Sequence, residues 1–182
     1  MYGPGQDHAN PSCGVIGKFI ESLFDGRPPV IHGDGNQTRD FTFVDDAVAA
    51  TIMAATSDRA LGEVFNVGTG VETRVNELAA ILIKVTGAQV QPAHSDRRDI
   101  DNIRRRGVNI EKARRALRRV PEITLEKGLE RTVEWPREKN RRGGAGGRVV
   151  RSALVAPGPG GSGTAWPSTR ASASRRATRA AS

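Results

Sequence analysis

The chain has 182 residues, enough for one domain with a real core and too few for several. Its net charge of +8 suggests a nucleic-acid or membrane partner, but residues 137–182 carry 10 of the 28 Lys+Arg and one of the 20 acidic residues. Residues 1–136 therefore stand at −1, and the basicity belongs to the tail. The single cysteine, Cys13, excludes an internal disulfide and points to a reducing, cytoplasmic setting. No apolar run is long enough for a membrane span, and the N-terminus has no signal-peptide pattern.

Taken in order, Tyr2–Ser12 reads as a loop rich in glycine and proline. Gly14–Asp25 reads as a helix with Val15, Ile16, Phe19, Ile20, Leu23 and Phe24 on one broad face, stopped by Gly26 and Pro28-Pro29. Val30-Ile31 is a short apolar run before a Gly33–Asn36 turn. Phe41–Val44 then alternates like a strand, and Asp46–Thr56 reads as a helix with Asp45 as N-cap. Glu63–Val67 reads as a short strand, in which Asn66 needs a hydrogen-bond partner. Val75–Thr86 is a helix with Thr73 as candidate cap and Gly87 as stop. Val90 opens a short extended piece. Helices follow at Asn109–Arg119, capped by Asn109, and Thr124–Trp135, capped by Thr124. Alternating strands and helices predict an α/β class, with strands too few and short for a complete doubly wound sheet. After Pro136 the composition shifts to Arg, Gly, Ala, Ser and Pro, which predicts a disordered tail over 137–182.

Two motifs mimic ligand sites. Gly68-Thr69-Gly70 sits like the start of a dinucleotide fingerprint, but Thr73 stands where the third glycine belongs. Asp34, Asn36, Thr38, Asp40 and Asp45 have partial calcium-loop spacing, but Arg39 replaces the obligatory glycine and no bidentate glutamate follows. Arg104–Arg106 and Arg114, Arg115, Arg118 and Arg119 suggest nucleic acid, yet Ile110, Ala113 and Leu117 make the second group an amphipathic surface helix, so nucleic acid is not the favoured partner. Arg39 offers a planar fork of donors suited to a phosphate or carboxylate. Its alternative is a salt bridge to Asp40 or Asp45.

The stretch Val30–Asp46, V-I-H-G-D-G-N-Q-T-R-D-F-T-F-V-D-D, resembles the substrate-lobe motif of the NAD-dependent epimerase/dehydratase family, the extended short-chain dehydrogenases that act on nucleotide sugars. Met1–Gln6, Gly62–Gly70 and Glu126–Trp135 resemble further family signatures in the family's order. The resemblance implies a small mixed α/β substrate-binding lobe at 1–136 without most of the Rossmann domain, followed by the tail. It also implies that the chain is a C-terminal portion beginning inside the family pattern.

The implied ligand is a UDP- or dTDP-sugar. The resemblance gives its diphosphate to Arg39 and to Arg97 or Arg98, with Asp99 at sugar or ribose hydroxyls. Asp96 stands where the family has an arginine, so 96–99 also reads as a solvated charged loop. Ile31 and His32 fall where the family's pyrimidine base lies, and Lys18 where a family arginine faces phosphate. Family catalysis requires a Tyr-x-x-x-Lys pair and NAD. The one tyrosine here, Tyr2, is followed four residues on by Gln6. No catalytic residue and no NAD binding by this chain alone are therefore expected. Association through an exposed cleft face is expected, and a non-catalytic interaction module with a basic tail is the alternative.

Overall fold

The computed structural model describes residues 1–6, 13–97, 103–118 and 120–142. Arg98 and Asp99, and the tail beyond residue 142, lie outside the described residues.

Among the described residues, five α-helices and five short strands form a mixed α/β fold. The first helix, α1 (Val15–Phe24), buries Ile16, Phe19, Ile20 and Leu23 of the face read from its spacing, with Val15 and Phe24 partly buried beside them. Strand β1 (Val30–His32) pairs in parallel with β4 (Ala93–Ser95), Ile31 opposite His94. A second sheet has the order β3 (Thr73–Arg74), β2 (Thr38–Arg39), β5 (Arg105–Arg106). Strand β3 is antiparallel to β2, and β5 is parallel to it.

The remaining helices are α2 (Val44–Thr56), α3 (Val75–Thr86), α4 (Glu111–Leu117) and α5 (Leu125–Arg142). Helix α3 packs on both α1 and α5. Ile20, Ile31, Phe43, Leu78, Leu82, Leu129 and Val133 make the fully buried centre. Burying each of these large apolar side chains contributes about 1.5–3 kcal/mol. No helix among the described residues is long and apolar enough to cross a membrane.

Several local expectations are corrected. The Phe41–Val44 strand is replaced by the two-residue β2 upstream; Phe43 makes only an isolated bridge with Tyr2, and Val44 already starts α2. Phe43, not Asp45, is the N-cap residue of α2. Asp45 is drawn into an ion pair with Arg131 at 2.8 Å. Arg74, not Thr73, caps α3, and the Glu77 carboxylate accepts its backbone N–H at 3.1 Å. Helix α4 starts at Glu111, whose N–H donates to the Asn109 side chain at 3.0 Å. Thr124 does accept the Lys127 N–H ahead of α5, at 3.4 Å. Helix α5 continues past Trp135 through Pro136.

Glu63–Val67 is not a strand. A strand exists only through its ladder, and no neighbour among the described residues supplies one. Val64 is consequently 82% exposed, and Asn66 is exposed rather than held inside a sheet.

Candidate functional site

A cleft of about 590 Å³ opens between the N-terminus of α1, the C-terminal end of β1, and strands β2 and β5. Four of the sequence-predicted residues, Lys18, Ile31, His32 and Arg39, line it. Ile31 is 1% exposed and anchors β1 in the core.

The His32 ring is held from β4: its Nδ1 lies 2.7 Å from Ser95 Oγ, and Gln37 donates to the His32 carbonyl at 3.0 Å. Arg97 falls outside the lining. Its Cβ lies against Gly33, at 3.6 Å from where a side chain on that glycine would begin. Gly33 has φ +78°, which glycine adopts at little cost.

The Arg39 guanidinium is steered by carbonyls. Its Nη1 donates to Thr38 O at 2.7 Å and to Ile103 O at 3.1 Å. The two acids offered by sequence as its partners are engaged elsewhere. Asp45 pairs with Arg131. The Asp40 carboxylate accepts from the Thr69 N–H at 2.9 Å, the Thr69 hydroxyl at 2.7 Å and the Gly70 N–H at 2.8 Å.

In the Gly68-Thr69-Gly70 turn, the Thr69 and Gly70 amides, the donors a pyrophosphate would need, are directed to Asp40. Among the described residues no cluster of His, Cys, Asp or Glu is arranged to hold a metal ion.

Tyr2 is a core residue at the floor of the cleft. It is 4% exposed, its hydroxyl donates to Leu125 O at 3.2 Å, and its ring meets Phe43 edge-on at 5.4 Å. Burial raises its pKa strongly, and the negative charge of Asp46 adds to this, so a tyrosinate is disfavoured. Gln6, in the lysine's relative position, donates its side-chain amide to Cys13 Sγ at 3.4 Å.

Two surface ion pairs pin β5 beside the cleft. Arg104 donates twice to Asp34, at 3.2 and 2.6 Å, and Arg105 twice to Glu72, at 3.1 and 2.8 Å. The Arg104 hydrogen bonds, with the Asn36 N–H, lower the Asp34 carboxyl to about 2. Arg105, with the Thr38 hydroxyl, lowers Glu72 to about 2.

Both folded-state values lie below the unfolded ones, so the folded chain binds fewer protons. The stability these pairs contribute is present above the ordinary carboxylate range and is lost as pH falls toward about 2. Melting temperature should fall across that window, and the double variant Asp34→Asn, Glu72→Gln should flatten the slope. An unchanged slope in the double variant would place the acid sensitivity elsewhere. Because both pairs are exposed, added salt should shrink the effect.

Sequence reading missed Arg106, which lines the same cleft. The basic run Arg104–Arg106 was visible, but its distribution between ion pairs and cleft depends on strand register.

With this geometry in place, comparison with known proteins is informative. Residues 1–68 match the model of the NAD dependent epimerase/dehydratase family. It is 39% identical over 141 residues to the UDP-glucose 4-epimerase of Mycolicibacterium smegmatis, covering 78% of this chain and 44% of that enzyme. Among solved structures, it resembles the UDP-glucose 4-epimerase of Thermotoga maritima with UDP-glucose. The TM-score is 0.69 at 36% identity, over 76% of this chain and 43% of that one. It also resembles the UDP-N-acetylglucosamine 4-epimerase of Methanobrevibacter ruminantium in complex with UDP-N-acetylmuramic acid. There the TM-score is 0.70 at 32% identity, over 76% of this chain and 44% of that one. The chain thus spans under half the length of the relatives it matches.

Proposed function

We propose that this chain supplies the nucleotide-sugar-binding part of an NAD-dependent sugar epimerase or dehydratase, with a UDP- or dTDP-sugar as ligand. The observation that carries this reading is the convergence of Lys18, Ile31, His32 and Arg39 on one cleft. Arg39 and Lys18 bind the diphosphate, since a guanidinium offers paired donors to phosphate oxygens and an ammonium a point charge. The end of β1 at Ile31–His32 receives the base. Arg97, Arg98 and Asp99 are assigned to the same ligand by the family motif, the last two lying outside the described residues. The UDP-sugars in the two solved relatives support the ligand class.

Catalysis is not assigned to the chain alone. Oxidation of a sugar hydroxyl needs a base near neutral pH, and the one tyrosine is buried and engaged with Leu125. NAD would accept the hydride in a complete relative, but the Thr69 and Gly70 amides are directed to Asp40 here. The cleft edge exposes Met1 at 85%, Val30 at 45% and Ile103 at 44%, an apolar rim through which the chain associates with a partner surface.

The test is calorimetric titration of the 182-residue chain with UDP, dTDP and NAD. UDP or dTDP should bind and NAD should not. Arg39→Ala should weaken nucleotide binding about 10- to 100-fold, as expected for charge-assisted hydrogen bonds. A folded chain with no affinity for either nucleotide would end this reading.

A further inference from the structure

Strand β2 carries Arg39 to the cleft, yet it is only two residues long. So short a strand forms few ladder hydrogen bonds, and the ladder alone holds the direction of one side chain loosely.

The next residue supplies what the ladder lacks. The Asp40 N–H donates to the Arg106 carbonyl at 3.1 Å, which ties the main chain to β5. The Asp40 carboxylate accepts from the Thr69 N–H, the Thr69 hydroxyl and the Gly70 N–H, and the Thr42 hydroxyl donates to it at 3.4 Å. Successive backbone N–H groups of a turn make a concavity for an anion, and here the anion is a side chain of the same chain.

Gly68 leaves room for this approach. A Cβ on it would lie 2.9 Å from Asp40 Oδ2 and 2.8 Å from Val108 Cβ. Arg39 and Asp40 line the cleft, whereas Thr69 and Gly70 lie outside its lining. Asp40 thus couples the backbone beside Arg39 to a turn behind the cleft wall.

We infer that Asp40 is a positioning residue: held by the Thr69 and Gly70 amides, it fixes the backbone from which Arg39 meets a bound nucleotide. This rests on the nucleotide-sugar reading of the cleft and adds to it a residue that acts through Arg39.

Charge alone predicts the opposite behaviour. A carboxylate in the lining repels a polyanion, so neutralising it would tighten UDP. Positioning predicts that neutralising it weakens UDP, because an amide has one acceptor oxygen in place of two and turns N–H groups toward the Thr69 and Gly70 donors.

The experiment is titration with UDP of the 182-residue chain and its Asp40→Asn, Thr69→Val and Arg39→Gln variants, and of both double variants with Arg39→Gln, at a temperature where thermal melts show each to be folded. Asp40→Asn should weaken UDP about fivefold to tenfold. Thr69→Val removes one donor to Asp40 and nothing that lines the cleft, and should weaken UDP about twofold to threefold. In the Arg39→Gln background, Asp40→Asn should cost less than about twofold, since its effect runs through the missing arginine.

Asp40→Asn binding UDP as tightly as wild type, or more tightly, would overturn the inference and leave the cleft reading intact. An equal loss with and without Arg39 would make Asp40 a general structural residue and overturn it too. Should Asp40→Asn fail to fold, Thr69→Val and its double variant decide by the same criteria. Wild type that does not bind UDP would remove both the inference and the reading beneath it.

Discussion

Gly128→Ala should destabilise the chain by about 3 kcal/mol, although alanine in a helix interior ordinarily gains about 1 kcal/mol over glycine. Gly128 lies in the first turn of α5, where Tyr2 and Phe43 press on the helix backbone. A Cβ there would meet the Tyr2 hydroxyl at overlapping distance, Tyr2 Cζ at 2.9 Å and Phe43 Cδ2 at 2.8 Å.

These neighbours cannot yield cheaply. Phe43 is 0% exposed, and Tyr2 is fixed by its bond to the Leu125 carbonyl. Relief requires displacing α5, which also carries the buried Leu129 and Val133. Urea denaturation of the variant measures the effect. Gly14→Ala is the control, since nothing lies within 4 Å of its added Cβ. Equal stability of the two variants would show that α5 tolerates the displacement.

Asp46→Ala should cost about 3 kcal/mol, because it strands two partly buried backbone donors at once. Asp46 is 4% exposed in the first turn of α2. Its Oδ1 accepts the Glu122 N–H at 3.0 Å and its Oδ2 the Ile123 N–H at 3.1 Å. This one side chain therefore ties α2 to the segment that leads into α5.

Asp46→Asn retains one acceptor and should lose about half as much. Hydrogen exchange at Glu122 and Ile123 should rise in step with the loss of stability. A variant that lost stability without faster exchange at those two amides would place the role of Asp46 elsewhere.

The helices were legible because their apolar spacing is strong and local. On α1, Ile16, Phe19, Ile20 and Leu23 of the predicted face are buried and Val15 and Phe24 partly so. Caps and strands were less legible. Asp45 is an excellent N-cap residue by type, yet the pull of Arg131 and the early start of α2 at Val44 decide otherwise. Glu63–Val67 has strand composition, but a ladder is a property of two segments, and composition describes only one.

The site divides in the same way. Residue type and motif order, by themselves, determined the α/β class, the family resemblance, the absence of a Tyr-x-x-x-Lys pair and the candidacy of Lys18, Ile31, His32 and Arg39. Those are facts of identity and short-range spacing, which a sequence carries in full. Only the tertiary structure decided which charges cancel. Asp40 turned from Arg39 to the Thr69 and Gly70 amides, Asp34 and Glu72 took Arg104 and Arg105, and Arg106 came to lie in register with Arg39. The partners in these pairings are 29 to 70 positions apart. Coulombic and hydrogen-bond energies fall off over a few ångströms of space, and the sequence does not say which residues the fold brings within them.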